Sequence, residues 1–393
     1  MKAQFAQLAT ILAILAPGVA LAPRPALAGI VIYEEEDGPK KVEVGGRIQV
    51  QYLSTDAIGE ERRDEVFFRR LRPYILATVT ENWIGMIQVD FGIAIEGDEV
   101  AIKDAYMQYS GWENLKLTIG NAKPFFGREF LASSKRQQTV ERGFVGNHNF
   151  GTPDRALGFS LAGQNESRKI TWGVSAGAEH HDPDARRLDL DTPVNRMEDW
   201  NQGLLVTARA DFHPNGFMAF DQGDFHTDEI KYNFSVAAYS WSNDGDNNSY
   251  TDDDGMSLSD SRADVDSATG FELSAGLRGH GWSFDAEYHR ISADTVVSDF
   301  TGGIYVGGST DIDEFQIEGG YMLPNVKMEI VGRWETQDAD GFENAWTATD
   351  VGLNYFFNRH KIKVQLTYRM GKNVLGVADS ETNSFFMQWQ FVF

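Results

Sequence analysis

The chain has 393 residues, no cysteine and a formal net charge of −23 at pH 7. The absence of cysteine excludes a disulfide framework, a Cys-ligated metal and a thiol nucleophile. The acidity argues against a nucleic-acid partner, because phosphate backbones are bound through basic surfaces. Hydrophobic residues still make up 42% of the chain, which is enough apolar surface to bury or to expose to lipid.

The first 28 residues have the pattern of a bacterial export signal. Lys2 supplies the positive charge, residues 8–19 form a short apolar run, and Ala26-Leu27-Ala28 offers a cleavage site. No later stretch approaches the 18 uninterrupted apolar residues of a transmembrane helix. We therefore expect a signal peptide over residues 1–28, a short periplasmic lead-in over 29–41, and one domain over 42–393.

Apolar and polar residues alternate along most of the remaining chain. In the first such segment Val44, Ile48 and Val50 share one face, while Arg47 and Gln49 share the other. A period of two is typical of a β-strand with one apolar and one polar side. Each segment has roughly the 9–14 residues with which a tilted strand crosses a bilayer. We count sixteen such segments, near 42–53, 66–80, 83–95, 100–110, 115–123, 155–163, 168–179, 202–212, 231–242, 268–279, 281–292, 312–322, 325–337, 347–357, 360–371 and 383–393.

The connections between these segments fall into a short set and a long set, as in bacterial outer-membrane barrels. Residues 95–99 are short where a long loop is due, and residues 213–229 are long where a turn is due. The last segment alternates up to a terminal aromatic, Phe393, which is similar to the signal that the barrel-assembly machinery recognises. The sequence thus predicts an all-β protein of the bacterial outer membrane: a 16-stranded antiparallel transmembrane β-barrel.

The connection from Pro124 to Asp154 is too long for a turn, and connections of this length are usually functional. We expect this third loop to fold into the barrel and narrow its pore. Its candidate cations are Arg128, Lys135, Arg136 and Arg142, and those of the first two strands are Arg47, Arg69, Arg70 and Arg72. Neighbouring residues on a strand point to opposite faces, so Arg69 and Arg70 share the pore only if a bulge or a subunit interface intervenes.

Several motifs resemble the phosphate-selective porin O and P family. They are Gly46-Arg47, Phe68-Arg69-Arg70-Leu71-Arg72, Lys103-Asp104-Ala105-Tyr106, the loop entry Ile119 to Phe125, the loop landmarks Ser133-Ser134-Lys135 and Glu141-Arg142, and the loop exit Pro153 to Gly158. The resemblance implies a trimeric porin that passes small anions such as phosphate. Carried over by motif, it also implies an anion site built from Arg69, Arg70, Asp104, Ser133, Ser134 and Arg142. Arg47 and Arg72 join this site as strand cations on the same two segments.

Acidic side chains keep two alternatives open. Polar faces of the predicted strands also carry Glu43, Asp90, Glu314, Glu318, Glu329 and Glu335. An acid-lined pore would be non-specific or tolerant of cations, because rings of charge at a constriction set selectivity. A structural or adhesive barrel whose long loops bind a partner is the other alternative.

No catalytic or metal site is expected. The eight histidines are scattered, and no Ser and His spacing predicts a hydrolase. The Asp-rich stretch 242–267 departs from the EF-hand pattern, since Ser249 and Gly255 stand where Gly and Glu are required. We expect no enzyme activity and no cofactor. The expected partners are small anions, outer-membrane lipid and lipopolysaccharide, the assembly machinery and two further copies of the chain.

Overall fold

The computed structural model describes residues 29–92, 100–184, 186–195, 202–243 and 262–393. The predicted signal peptide and residues 244–261 of the Asp-rich stretch lie outside these ranges. Across the described ranges, no helix combines the length and the apolar character needed to span a bilayer.

Nearly all of the described chain is antiparallel sheet. The eighteen strands are β1 Ile30–Glu34, β2 Lys41–Ala57, β3 Arg63–Thr78, β4 Trp83–Asp90, β5 Ala101–Trp112, β6 Leu115–Ala122, β7 Ala156–Gln164, β8 Ile170–Pro183, β9 Leu188–Asp191, β10 Gln202–Phe212, β11 Lys231–Ser242, β12 Val265–Gly279, β13 Trp282–Thr295, β14 Ser309–Met322, β15 Met328–Ala339, β16 Trp346–Asn358, β17 Ile362–Lys372 and β18 Glu381–Val392. The described residues also form the helix α1 Arg128–Leu131 and the 3-10 turns Phe144–Gly146, Pro193–Asn195 and Val374–Gly376.

Sixteen of these strands close into a barrel. Strands β2 to β8 and β10 to β18 pair in chain order, and β18 returns to pair with β2 through Ile48 and Phe391. Each of the sixteen predicted strands is present, and their ends differ by a few residues. The two additional strands are short: β1 pairs with the start of β2, and β9 pairs with the end of β8. The sequence missed both of them.

The strands expose their apolar face and bury their polar face, which is the reverse of a soluble protein. On β10, Leu204 and Val206 are exposed, while the inward Thr207 and Arg209 are buried. An apolar outer face suits lipid, and a polar inner face suits a barrel interior. Aromatic pairs such as Trp83 with Tyr109 and Trp282 with Tyr321 lie at strand ends, as the aromatic girdles of outer-membrane barrels do.

The two ends of the barrel differ as the sequence predicted. One end carries connections of two to five residues, at 79–82, 113–114, 165–169, 280–281, 323–327 and 359–361, and by the usual asymmetry this is the periplasmic end. The exception is residues 213–230, a long connection at the same end. Most loops at the other end are longer.

The apolar core lies inside the barrel, near the long-loop end and against strands β8 to β14. It contains Leu188, Trp241, Ile304 and Tyr305, all at most 2% exposed, and Phe126 from the third loop. Side chains of the long loops therefore fill the part of the interior beside β8 to β14 from the long-loop end.

Candidate functional site

Residues 123–155, between β6 and β7, contact inward-facing side chains on the far side of the barrel. We call this segment the third loop. Gln138 donates from Nε2 to Ser283 Oγ at 2.7 Å and to Glu329 Oε1 at 2.6 Å. Lys363 Nζ of β17 donates to the carbonyl of Gln137 at 2.8 Å. The third loop therefore crosses the interior and lies against strands β12 to β17.

We call the inner face of strands β12 to β16 the acidic wall. Its carboxylates bind the backbone of the third loop. Glu272 Oε2 accepts from the Gly127 amide at 2.8 Å, Glu287 Oε2 accepts from the Glu129 amide at 2.9 Å, and Glu335 Oε2 accepts from the Phe144 amide at 2.8 Å. The acids that would otherwise line the pore thus hold the loop in place.

Gly127 allows the sharp entry of this loop. Its φ of 72° lies in the left-handed region, and a Cβ atom there would approach the Cβ of Phe130 to 2.9 Å. Any L side chain at this position would be strained. The entry sequence Pro124-Phe125-Phe126-Gly127 therefore brings the buried α1 against the wall.

A cavity of about 1020 Å³ remains on the opposite side of the third loop. Its wall is formed by β2 to β7, by β17 and β18, and by the inner face of the third loop. Its lining extends from Lys116 and Ala162 near the short-turn end to Leu53 and Phe67 near the long-loop end. Eleven Lys and Arg side chains line it against five Asp and Glu side chains, the reverse of the balance of the whole chain.

All eight residues of the predicted anion site line this one cavity: Arg47, Arg69, Arg70, Arg72, Asp104, Ser133, Ser134 and Arg142. A β-bulge explains how two adjacent arginines reach it. Gln49 pairs with Arg70 and Val50 pairs with Phe68, so Arg69 is an extra residue without a partner on β2. The sequence analysis expected Arg69 and Arg70 to share the pore only where a bulge or a subunit interface intervenes. This bulge lets both side chains line the cavity.

A second bulge lies between β4 and β5. Gln88 pairs with Asp104 and Val89 pairs with Ile102, which leaves Lys103 as the extra residue. Lys103 and Asp104 therefore both line the cavity, and they contact Asp154 and Arg155 at the exit of the third loop.

Five cations of the cavity have no carboxylate oxygen within 4.0 Å among the described residues: Arg47, Lys116, Lys123, Lys135 and Arg142. Arg47 Nη1 donates to Ser134 Oγ at 2.6 Å. Lys123 and Arg142 both donate to the carbonyls of Phe130 and Ala132. The Nε atoms of Arg47, Arg70 and Arg142 are buried and have no hydrogen-bond partner within the part of the chain that the structure describes.

Other cavity cations are paired with acids. Arg72 Nε donates to Asp90 Oδ2 at 2.5 Å and Arg155 Nε donates to Asp104 Oδ1 at 2.9 Å. Glu141 accepts from Arg69 Nε at 2.7 Å. Burial alone would raise the pKa of Glu141, but Arg69 and Arg70 lower this pKa to about 2. Glu141 is therefore ionised at neutral pH and fixes the arginine pair.

His148 adds a titratable group at the cavity edge. Its Nδ1 lies 2.7 Å from Asp189 Oδ1. Burial lowers the pKa of His148, but the Asp189 carboxylate outweighs it and raises that pKa to about 9. The imidazole is therefore protonated at neutral pH.

Two predicted loop cations lie elsewhere. Arg128 is 2% exposed and pairs with Asp285 on the acidic wall, and Arg136 pairs with Asp221 of the 213–230 connection. The predicted anion site also omitted cavity residues that the sequence patterns contained. Lys103, Lys123 and Arg155 stood in the family-like motifs, and Arg369 alternated onto the polar face of β17.

The closed barrel, its apolar outer face and its polar interior define a channel of the porin type in the bacterial outer membrane. Residues 42–196 match the family model described as phosphate-selective porin O and P, which confirms the resemblance noted in the sequence. No curated protein matches the chain by sequence.

Solved structures share the fold at low identity. The trimer form of OmpT from Vibrio cholerae is 13% identical, with a TM-score of 0.54 over 90% of this chain and 99% of that one. OmpF of Salmonella typhi, solved with daunomycin, is 13% identical, with a TM-score of 0.56 over 92% and 100%. An anion-selective porin from Comamonas acidovorans is 9% identical, with a TM-score of 0.55 over 90% and 100%.

Proposed function

We propose that the pore of this outer-membrane channel prefers small anions, phosphate among them, and that the third loop forms its constriction. The observation that carries the proposal is the set of cavity cations that have no carboxylate partner among the described residues: Arg47, Lys116, Lys123, Lys135 and Arg142. Their charge is not neutralised locally, so it attracts an anion entering the cavity.

The acidic composition does not oppose this preference. The wall acids Glu314, Glu318, Glu329 and Glu335 are at most 1% exposed. They are covered by the third loop and bound to it or to neighbouring strands. Acids that ions cannot reach contribute little to selectivity at the narrowest point.

The chemistry of the cavity suits an oxyanion. A guanidinium presents two parallel N–H groups to a phosphate or carboxylate, and a hydroxyl beside it supplies a further donor. Arg47 with Ser134, and Arg142 nearby on the third loop, provide such donors at fixed positions. Transport then requires only that these donors replace part of the hydration shell and bind the ion weakly enough to release it.

Reversal potentials in planar bilayers test this proposal directly. In a salt gradient, the wild-type channel should be anion-selective, and added phosphate should reduce the chloride current. A unit charge about 10 Å from an ion in water changes its energy by about 0.4 kcal/mol, or about twofold in permeability. Arg47→Gln and Arg142→Gln should each lower the anion-to-cation permeability ratio by about this factor.

Arg290→Gln is the matched control, because Arg290 lies on the outward face of β13 and pairs with Asp311 and Asp313. It removes the same charge outside the pore and should leave selectivity unchanged. Cation selectivity in the wild type, with no phosphate block, would refute the proposal and favour the general, cation-tolerant pore. A folded barrel without conductance would favour the adhesive alternative.

We also propose the assembly that the family resemblance implies: removal of residues 1–28 on export, recognition of the terminal strand by the assembly machinery, and a homotrimer in lipid and lipopolysaccharide. The aromatic C-terminal strand and the trimer form of one similar fold support this. Light scattering in detergent, corrected for bound detergent, should give three times the 43.9 kDa chain mass less the signal peptide. A monomer mass would contradict the trimer.

A further inference from the structure

The long connection at the short-turn end, residues 213–230, folds back into the barrel. Its Gln222 and Asp224 are 2% and 3% exposed. Arg278 of β12, which faces inward, donates from Nε to the carbonyl of Asp221 at 3.0 Å. The ring of Phe225 lies 5.0 Å from that of Phe356 on β16. These contacts place the segment against the same acidic wall that the third loop covers.

The 213–230 segment meets the third loop. The Gln222 amide donates to the carbonyl of Arg136 at 3.2 Å, and the Gln138 amide donates to Gln222 Oε1 at 2.8 Å. Asp221 forms an ion pair with Arg136. Two segments that enter from opposite ends of the barrel therefore touch in its interior.

Phe220 lies between two buried arginines at this junction. Its ring centroid is 5.1 Å from the guanidinium carbon of Arg128 and 4.7 Å from that of Arg209. Arg128 pairs with Asp285, and Arg209 pairs with Glu272. An aromatic face over a desolvated cation is favourable, so Phe220 covers arginine–acid pairs that would otherwise face the short-turn end.

We propose that residues 213–230 are a selectivity-determining seal: with the third loop and the apolar core, they close the acid-lined half of the barrel and leave the basic cavity as the ion path. This inference rests on the proposed anion preference. It makes residues 213–230 a second segment, besides the third loop, on which that preference depends. Without the seal, water and cations reach Glu272, Asp285 and Glu329 from the short-turn end. Exposed carboxylates at such a point attract cations.

The base of the segment permits a clean deletion. Asn215 bonds to the carbonyl of Ile230 and accepts from the Tyr232 amide at 3.4 Å, so the two ends already lie side by side. Residues 217–228 can be replaced by Asn-Gly, which favours a tight turn. The single variant Phe220→Ala tests the same point with the segment in place. Phe217→Ala is its matched control, because Phe217 lies on the same segment but packs against the exposed Arg168 and against His213 rather than against the arginine–acid pairs.

Single-channel recording gives the first readout. We expect the deletion to raise conductance, since it removes side chains that fill part of the barrel interior, and to shift the reversal potential toward cations. Phe220→Ala should shift the reversal potential in the same direction by a smaller amount, and Phe217→Ala should match the wild type. Larger conductance with unchanged ion preference would overturn the selectivity role, as would wild-type behaviour of a folded deletion variant.

Carbodiimide labelling of carboxylates, followed by mass spectrometry, separates this inference from the proposed function. Glu272, Asp285 and Glu329 should be protected in the wild type and labelled in the deletion variant. Protection in the wild type and labelling in the deletion variant, together with a cation-selective wild-type channel, would refute the anion preference and retain the seal. Equal protection in both proteins would overturn the seal itself.

Discussion

Adjacent charged residues reach the same cavity because an extra residue interrupts the ladder at two places. Arg69 is the extra residue beside Arg70, and Lys103 is the extra residue beside Asp104. In a regular strand one member of each pair would face lipid, where an ionised side chain is costly. The bulges therefore add charge to the pore without placing it on the outer face.

Glu141 limits how strongly the arginine pair attracts anions, because it is ionised and binds Arg69. Glu141→Gln should raise the anion-to-cation permeability ratio by about twofold, on the same 10 Å estimate for one charge. Reversal potentials at neutral pH measure this. Asp313→Asn, which removes a negative charge from the outward face of β14, should not change them. A shift toward cations in Glu141→Gln would mean that the arginines need Glu141 to stay in the pore.

His148 predicts a pH dependence. Because its pKa is raised to about 9, the imidazole is charged through neutral pH and loses its proton as the pH rises through about 9. The cavity edge then loses one positive charge, so anion preference should fall between pH 8 and pH 10. The difference between wild type and His148→Gln across this range isolates the imidazole from the pore lysines. Parallel curves for the two proteins would exclude His148 as the titrating group.

The strands themselves were predictable from sequence, because the outer face meets lipid and is apolar while the inner face is polar along most of each strand. All sixteen predicted strands are present. The bulges were not predictable, since a bulge depends on how β2 pairs with β3 and not on either strand alone. The short strand β1, within the predicted lead-in, was missed because five residues are too few to show alternation.

If Arg69 is a bulge residue, its deletion should leave the residue pairing between β2 and β3 unchanged. The deletion joins Phe68 to Arg70, and both keep their present partners, Val50 and Gln49. We expect a folded barrel with unchanged heat-modifiable mobility in gels and a lower anion preference. Deleting Leu71 is the contrast: it shifts the neighbouring residues of β3 by one and exchanges lipid and pore faces, so it should abolish folding. Equal behaviour of the two deletions would contradict the bulge.

The whole molecule separates its charges by position. Acids are concentrated on the wall formed by β12 to β16 and are covered, whereas the open cavity beside β2 to β7 is rich in arginine and lysine. The net charge of the chain therefore does not indicate the charge that lines the cavity. The sequence placed Glu314, Glu318, Glu329 and Glu335 correctly on polar faces, but contacts such as that of Gln138 with Glu329 join residues far apart in the chain.

This separation predicts how selectivity depends on salt. The cavity charges act on ions through water, and the screening length falls from about 10 Å at 0.1 M to about 3 Å at 1 M. Anion preference should therefore be strong in a gradient of 10 to 100 mM salt and weak in a gradient of 100 mM to 1 M. The buried pairs that hold the third loop, such as Arg128 with Asp285, are screened much less. The third loop should therefore stay in place at both salt concentrations. The single-channel conductance should rise smoothly with salt, without an abrupt increase.

The variants defined above sharpen this comparison. In Arg47→Gln and Arg142→Gln the difference between the two gradients should shrink, because less cavity charge remains to be screened. In Arg290→Gln it should match the wild type. Anion preference that stays constant across both gradients would show that short-range binding, and not the field of the cavity, sets selectivity. A preference that reverses at low salt would mean that the wall acids reach the permeating ions.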